Sequence, residues 1–276
     1  MKKIFFLFLV LFLQSCTEEQ LYETGNKTLH GKTLKVEIVA HGLTKVDNLY
    51  LGDNDSLYAT LERSRSRGEL VSIVDGKTKT LLSQLDRPDG LAGKGRYLFV
   101  TEEVHSGRII RYDLQTGNTQ VVLRDLRMPE GIDLFINGDL AITEDVANGR
   151  LLRLGQTVKP QVLLDNLARP EGLCIDHKGT VFVALTGSGE IISYQQGKRR
   201  VIYKGLSEPD QVECAADGSL WITEDQDPGR LLRLENGVLE VLMSGLSSPQ
   251  GIAFHTDGSV YIAEQGKDRI IRLSWH

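Results

Sequence analysis

The stretch LRMPEGIDLFINGDLAITE, residues 126–144, comes back along nearly the whole chain, and no other feature constrains the fold as tightly. Its punctuation is an apolar residue, two variable positions, Pro-acid-Gly, an apolar pair, a turn, and a short apolar strand ending Thr-Glu. The prolines fall at Pro88, Pro129, Pro170, Pro209 and Pro249, spaced 41, 41, 39 and 40 residues apart. A sixth, degenerate copy begins at Leu43 with Val46 in the proline position. Repeats of this length with several short strands per copy mark a β-propeller, because helical repeats of similar size carry a 3.6-residue apolar period. No such period is visible.

The third copy shows four apolar segments, at 132–135, 139–143, 150–154 and near 161–164, separated by polar or glycine turns. That pattern predicts an all-β fold with four antiparallel strands per blade. The copies start near 43, 85, 126, 167, 206 and 246, and the last stops at His276 without a fourth strand. Residues 32–41, followed by Gly42-Leu43, match the segment 119–126 that ends the second copy. They therefore supply the missing strand and close a six-bladed propeller spanning 32–276. The residues three before the Thr-Glu acid are Tyr58, Phe99, Ala141, Phe182, Trp221 and Tyr261, a stripe suited to packing between sheets. The Gly-Arg pairs at 107–108, 149–150 and 229–230 read as structural, with the arginines bridging loops or sheet rims. A net charge of −5 without a basic stripe argues against a nucleic-acid partner, and Arg63, Arg65 and Arg67 read as a solvated loop.

Ahead of the propeller, Met1-Lys2-Lys3 and the apolar run 4–13 have the shape of a secretory signal, too short to span a bilayer. Leu13-Gln14-Ser15-Cys16 resembles the lipobox of bacterial lipoproteins. That resemblance implies a signal peptide over 1–15, lipidation of Cys16 and a polar tether over 16–31. Thr17 is not the aspartate that tends to retain such proteins at the inner membrane of enteric bacteria. The expected place is the cell envelope, anchored at the outer membrane and facing the periplasm or the cell surface. The mature domain retains Cys174 and Cys214, four and five residues after their prolines. These offsets place them on opposite faces of equivalent sheets, and neighbouring blades present opposite faces to each other. A disulfide and two separate buried thiols both remain open.

The acid beside the proline carries the chemistry. The six positions hold Asp47, Asp89, Glu130, Glu171, Asp210 and Gln250. The first strand of a propeller blade lines the central channel, so these residues ring one mouth. The second strand returns to the same face and ends at Leu61, Glu102, Glu144, Leu185, Glu224 and Glu264, several followed by another acid: Glu103, Asp145 and Asp225. Converging carboxylates raise one another's pKa or recruit a cation, and oxygen ligands without histidines select calcium or magnesium. A turn-capping role for each acid is the plainer reading.

At these residues the chain resembles the gluconolactonase/regucalcin family (senescence-marker-protein, LRE-like), six-bladed propellers with NHL-like repeats. The resemblance covers about 32–276 and implies hydrolysis of a lactone or related ester by a divalent cation, commonly calcium, at the channel mouth. Carried over by position, it implies metal ligands Asp47, Glu171 and Asp210, with Asp210 and Glu171 also catalytic. Glu130, Asp89, Glu102, Glu144 and Glu224 then face the substrate, and His105, in a loop on that face, is a candidate auxiliary base. The chain departs from the family at Glu171, where an asparagine is usual, at Gln211 in place of glycine, and at Asp47-Asn48, which lacks both proline and glycine. The other function class is a non-enzymatic NHL-like propeller that holds a ligand or protein partner at the same mouth. A monomer, touching the membrane only through its lipid, is expected in both. Cys16→Ser is expected to shift the protein from the membrane to the soluble fraction or to leave it unprocessed; unchanged fractionation and mature mass would remove the lipoprotein reading.

Overall fold

The computed structural model describes residues 28–29, 32–53, 55–155 and 159–276. The predicted signal, Cys16 and most of the tether lie outside the described residues. Six sheets are arranged around one axis. In the third blade Pro129–Leu134, Leu140–Glu144, Gly149–Leu154 and Gln161–Leu167 pair antiparallel in that order. Blades one, two, four and five repeat the meander from first strands Val46–Leu51, Pro88–Lys94, Pro170–Ile175 and Pro209–Cys214. Blade six supplies Pro249–Phe254, Val260–Glu264 and Arg269–Trp275 from the C-terminus. Its outer strand is Lys32–His41, paired along Arg269–Trp275 from His41↔Arg269 to Leu34↔Trp275. The two-residue strand Thr28–Leu29 adds outside it. The closure expected from the split repeat is thus the observed one.

The core is six wedges, one between each pair of blades, because a four-stranded sheet is apolar on both faces when it stands between two neighbours. Trp221 of blade five packs with Ile252, Val260 and Ile262 of blade six, and meets Phe254 and Trp275 edge-on at centroid distances of 5.5 and 5.8 Å. Tyr58, Phe99, Phe182 and Tyr261 occupy the equivalent place in four other wedges. Ala141 leaves room in the sixth for Leu173, Val181 and Val183 of blade four. The aromatic stripe is a packing device.

Two further repeat residues set how closely the blades approach. Gly68, Gly107, Gly149 and Gly229, each opening a third strand, lie against the ring of the next blade's proline, where any Cβ would overlap the proline Cδ. Gly90, Gly131 and Gly251, two after the proline position, lie against the backbone carbonyl of the next blade's ring residue, and a Cβ there would overlap Glu130, Glu171 or Asp47. The cysteines settle between their two readings as a disulfide. Cys174 and Cys214 are bonded, their Cα atoms 5.7 Å apart, joining the first strands of blades four and five.

Deleting residues 32–41 strips the outer strand from blade six, exposing an edge and uncovering Val36, Val39 and Ala40 from two wedges. At about 1–2 kcal/mol for each apolar side chain lost, the truncated domain is expected to melt about 10 °C lower and to lose solubility. Wild-type melting by that truncation would remove the closure argument.

Candidate active site at the acidic channel mouth

The residue before each repeat proline position has a left-handed backbone: Lys45, Arg87, Met128, Arg169, Glu208 and Ser248 have φ between 44° and 61°. A residue preceding proline is already barred from the helical region, and here it turns the chain sharply into the first strand. Its carbonyl accepts the N–H of the residue that follows the second strand, as in Glu103 to Arg87 and Asp145 to Met128. The turn therefore fixes two positions of each blade at one mouth. Threonine then ties the blades together. The Oγ1 of Thr60, Thr101, Thr143 and Thr223 donates to the ring residue's carbonyl in the next blade, at 2.6–2.9 Å, on Asp89, Glu130, Glu171 and Gln250. In blade four, Thr186 bonds Pro209 at 2.5 Å instead.

This stitching gathers carboxylates. Glu130, Glu171 and Asp210 each place an oxygen within 4.8 Å of the others; so do Glu62, Asp89 and Glu103, and Glu103, Glu130 and Asp145. Asp47 is not in the set with Glu171 and Asp210 that the family resemblance implied. Its carboxylate accepts the Gln265 amide at 2.8 Å, and the other end of that amide takes the Lys45 ammonium at 2.7 Å. Asp89, placed by the sequence outside the ligand set, sits instead in a carboxylate triad of its own.

Glu102, Glu144 and Glu224 are corrected from substrate contacts to structural anchors. Each is buried and holds the arginine that opens the third strand: Arg108, Arg150 at 2.6 Å and Arg230 at 2.5 Å. Each also accepts a backbone N–H, from Asp86, Arg127 or Ser207 at 2.8–2.9 Å, just ahead of the proline turn. Arg127 and Arg150 hold the Glu144 carboxyl below its usual range against the burial that would raise it. The Gly-Arg pairs thus bridge as the sequence suggested. The alternation of side chains decides the matter: consecutive acids at the end of one strand point to opposite sides, so only Glu103, Asp145 and Asp225 turn inward. His105 is exposed in the loop beyond Glu103.

Three members of the mouth were not read from the sequence. Glu62 completes the inner set beside Asp89, and its signal was its position after the second strand, equivalent to Glu103 and Asp145. Arg87 pairs Glu62 at 2.7 Å and also pairs Glu103. Arg169 pairs Asp145 and Glu171, both at 2.8 Å. Both arginines occupy the pre-proline position, where aligning the repeat one residue further back would have shown them. Glu171 also accepts the Thr186 hydroxyl. Among the described residues, no group donates a hydrogen bond to the carboxylates of Asp89, Glu130 or Asp210.

Burial and mutual repulsion push these acids upward. Desolvation is the largest cause at every one. Asp47, Asp89, Glu130 and Asp210 stand well above the ordinary carboxylate range, with Glu171 and Asp89 adding to the effect on Glu130. Glu103 is raised to about 7 and Glu171 to about 8, their arginines opposing part of the rise. All of the facing ligands are oxygens, so the donor set fits a hard divalent cation and not zinc.

No protein-family model matches the chain, and no curated protein matches it. Solved structures do. A gluconolactonase from Xanthomonas campestris superposes over 92% of this chain and 95% of its own, at 17% identity and a TM-score of 0.78. The likeness is one of fold. A Bacteroides thetaiotaomicron protein of unknown function matches over 89% of this chain and 76% of its own, with 10% identity and a TM-score of 0.74. A streptogramin B lyase matches over 88% and 98%, with 15% identity and a TM-score of 0.66. A hydrolase and a lyase share the architecture, so the chemistry of this chain has to be argued from its own mouth.

That mouth predicts a pH dependence. Carboxylates whose folded pKa lies above the unfolded value stabilise the fold below about pH 4, and this stabilisation is lost as pH rises through their folded values. In metal-free buffer the melting temperature is expected to fall between pH 5 and pH 8, as Glu103 and Glu171 ionise near 7 and 8. Differential scanning calorimetry checks this; a flat or rising profile would mean that the ring acids are ionised throughout.

Proposed function

We propose that the protein is a divalent-cation-dependent hydrolase of a lactone or related ester, working at the acidic mouth. The observation that carries this reading is the Glu130, Glu171 and Asp210 cluster, with oxygens within 4.8 Å and two of the three carboxylates without a hydrogen-bond donor among the described residues. Close like charges without protein partners call for a cation, and the fold shared with a gluconolactonase supports lactone chemistry. These three residues would hold the ion, calcium before magnesium because the carboxylates form an all-oxygen set without fixed octahedral partners. When bound, such an ion supplies a Lewis acid for a carbonyl oxygen.

The chain's own residues divide the remaining work. Asp210, like Glu130 without a hydrogen-bond donor among the described residues, is the carboxylate assigned to take a proton from attacking water. Arg169 and Thr186 fix Glu171 from two sides, so its position does not depend on substrate. Glu103, half-protonated near neutrality, is suited to return a proton to the leaving alkoxide. That both Glu171 oxygens are engaged favours the second reading, a propeller that binds a ligand at this mouth without turning it over. The envelope location belongs to the same proposal: the apolar run before Cys16 and the disulfide, a bond that persists in oxidising compartments, both support it.

Calcium at about a hundred times its Kd is expected to add about 2.7 kcal/mol, roughly 5–10 °C in melting temperature, over the same protein in chelator at matched ionic strength. Asp210→Asn and Glu130→Gln should each remove most of that shift. On a panel of small lactones and esters, Asp210→Asn should lower kcat/KM by about a hundredfold or more. Coincident melting curves in calcium and chelator would eliminate the ion, whereas a calcium shift without hydrolysis of any panel member would leave the binding module.

A further inference from the structure

The channel has a second end, and it differs in character from the first. Three to five residues beyond the proline position, roughly 10 Å deeper along the first strands, the walls enclose a cavity of about 230 Å³. Ten of its twelve lining residues are apolar or aromatic or glycine, and the other two are Asp133 of blade three and Glu213 of blade five. Tyr50 and Phe254 supply aromatic rings to the wall. The Tyr50 ring lies flat against Gly93, where any Cβ would overlap it, so the glycine keeps the ring seated.

The two acids are built in. Asp133 accepts the backbone N–H groups of Leu134 and Ile175, both at 2.7 Å, which oppose part of the burial that pushes its carboxyl up to about 6. Glu213 accepts the Gln211 amide at 3.0 Å and the backbone N–H of Cys214. Gln211 stands where four of the other five copies carry glycine, and its side chain runs along the channel to reach this acid. Burial, and after it the charge of Asp133, push the Glu213 carboxyl well above the ordinary range. Two acids share this apolar chamber, and no ion pair joins either of them to a cation among the described residues, so a positive charge placed between them would be favoured by both.

The chamber does not suit a metal ion. Both Asp133 oxygens are already occupied, and among the described residues neither acid belongs to any group able to offer three ligand atoms. Calcium takes six to eight oxygens, whereas an organic ammonium asks for one or two carboxylates, an apolar wall for its carbons and aromatic faces for its charge. We propose that this inner chamber is a binding site for a small organic monocation, an ammonium or guanidinium on a short apolar body, with Glu213 as its principal anion and Asp133 as the second. The cavity is below the size that accommodates drug-like ligands, which limits the body to a handful of carbons.

The test titrates the purified domain with n-butylammonium and phenethylammonium by calorimetry, with 1-butanol and phenethyl alcohol as uncharged counterparts. Saturable one-to-one binding of at least one ammonium, with neither alcohol binding comparably, is expected. Glu213→Gln should weaken it about tenfold or more, the size of one charge-assisted hydrogen bond. Ala253→Leu, which fills the cavity and leaves both acids in place, should abolish it and keeps the question open to test if Glu213→Gln fails to fold. The double variant Glu130→Gln/Asp210→Asn, altered only at the acidic mouth, should bind as wild type. Absence of binding, equal binding of the alcohols, wild-type affinity in Glu213→Gln or Ala253→Leu, or loss in the mouth variant would each overturn the assignment. The last of these would move the amine to the acidic mouth.

Discussion

The approach of six first strands around one axis is the constraint on which the molecule depends. It is permitted by the absence of a side chain at Gly90, Gly131 and Gly251 and held by threonine hydroxyls that bond the next blade's backbone. Each of these bonds ends on the carbonyl of a ring residue. The interaction that joins blade to blade is thus the same one that brings Asp89, Glu130 and Glu171 inward. Hydrophobic wedges and the aromatic stripe supply most of the driving force for burial, but they would tolerate a wider ring. The glycine and threonine positions make the ring narrow, and its narrowness turns five separated acids into one electrostatic unit.

Two sets of carboxylates follow, and they behave oppositely although adjacent in sequence. Glu102, Glu144 and Glu224 are neutralised by arginine and by backbone N–H groups, and they fasten the turn that precedes each proline. Removing a partner there leaves a buried charge alone, so these pairs specify the geometry of the turn more than they add net stability. Asp89, Glu130 and Asp210 lack such partners among the described residues and store repulsion. Arg87 and Arg169 relieve it on two sides of the ring and leave the rest uncompensated. Stability and function are therefore in tension at the mouth and in agreement one residue away.

The channel also changes character along its length. A dense acidic ring at one end gives way to an apolar chamber with two acids at the other, and Gln211 links them. Its replacement of the repeat's glycine is what allows one side chain to reach from the ring to Glu213. The Cys174–Cys214 disulfide braces the same pair of blades that carry Glu171 and Asp210. Where the repeat is broken, the chain has placed residues that bear on the channel.

The sequence by itself determined the blade count, the four-strand meander, the closing strand and the ring of acids, because each is encoded by spacing, and spacing survives a fivefold repeat even when individual residues drift. It also identified the aromatic stripe as core, since large apolar side chains at one strand position have nowhere else to go. It could not tell Glu102 from Glu103 by chemistry alone: both are glutamates at the end of one strand, and only the direction of each Cβ separates a buried anchor from a channel wall. It did not reveal that Asp47 turns to Gln265 while Glu130 joins Glu171 and Asp210, because those distances run between blades and depend on how far each ring residue leans inward. Whether Cys174 and Cys214 meet was likewise undecided by offset, since opposite faces of neighbouring sheets can confront or miss each other. Position along the chain was legible from the repeat; orientation across the axis was decided only when six copies closed on one another.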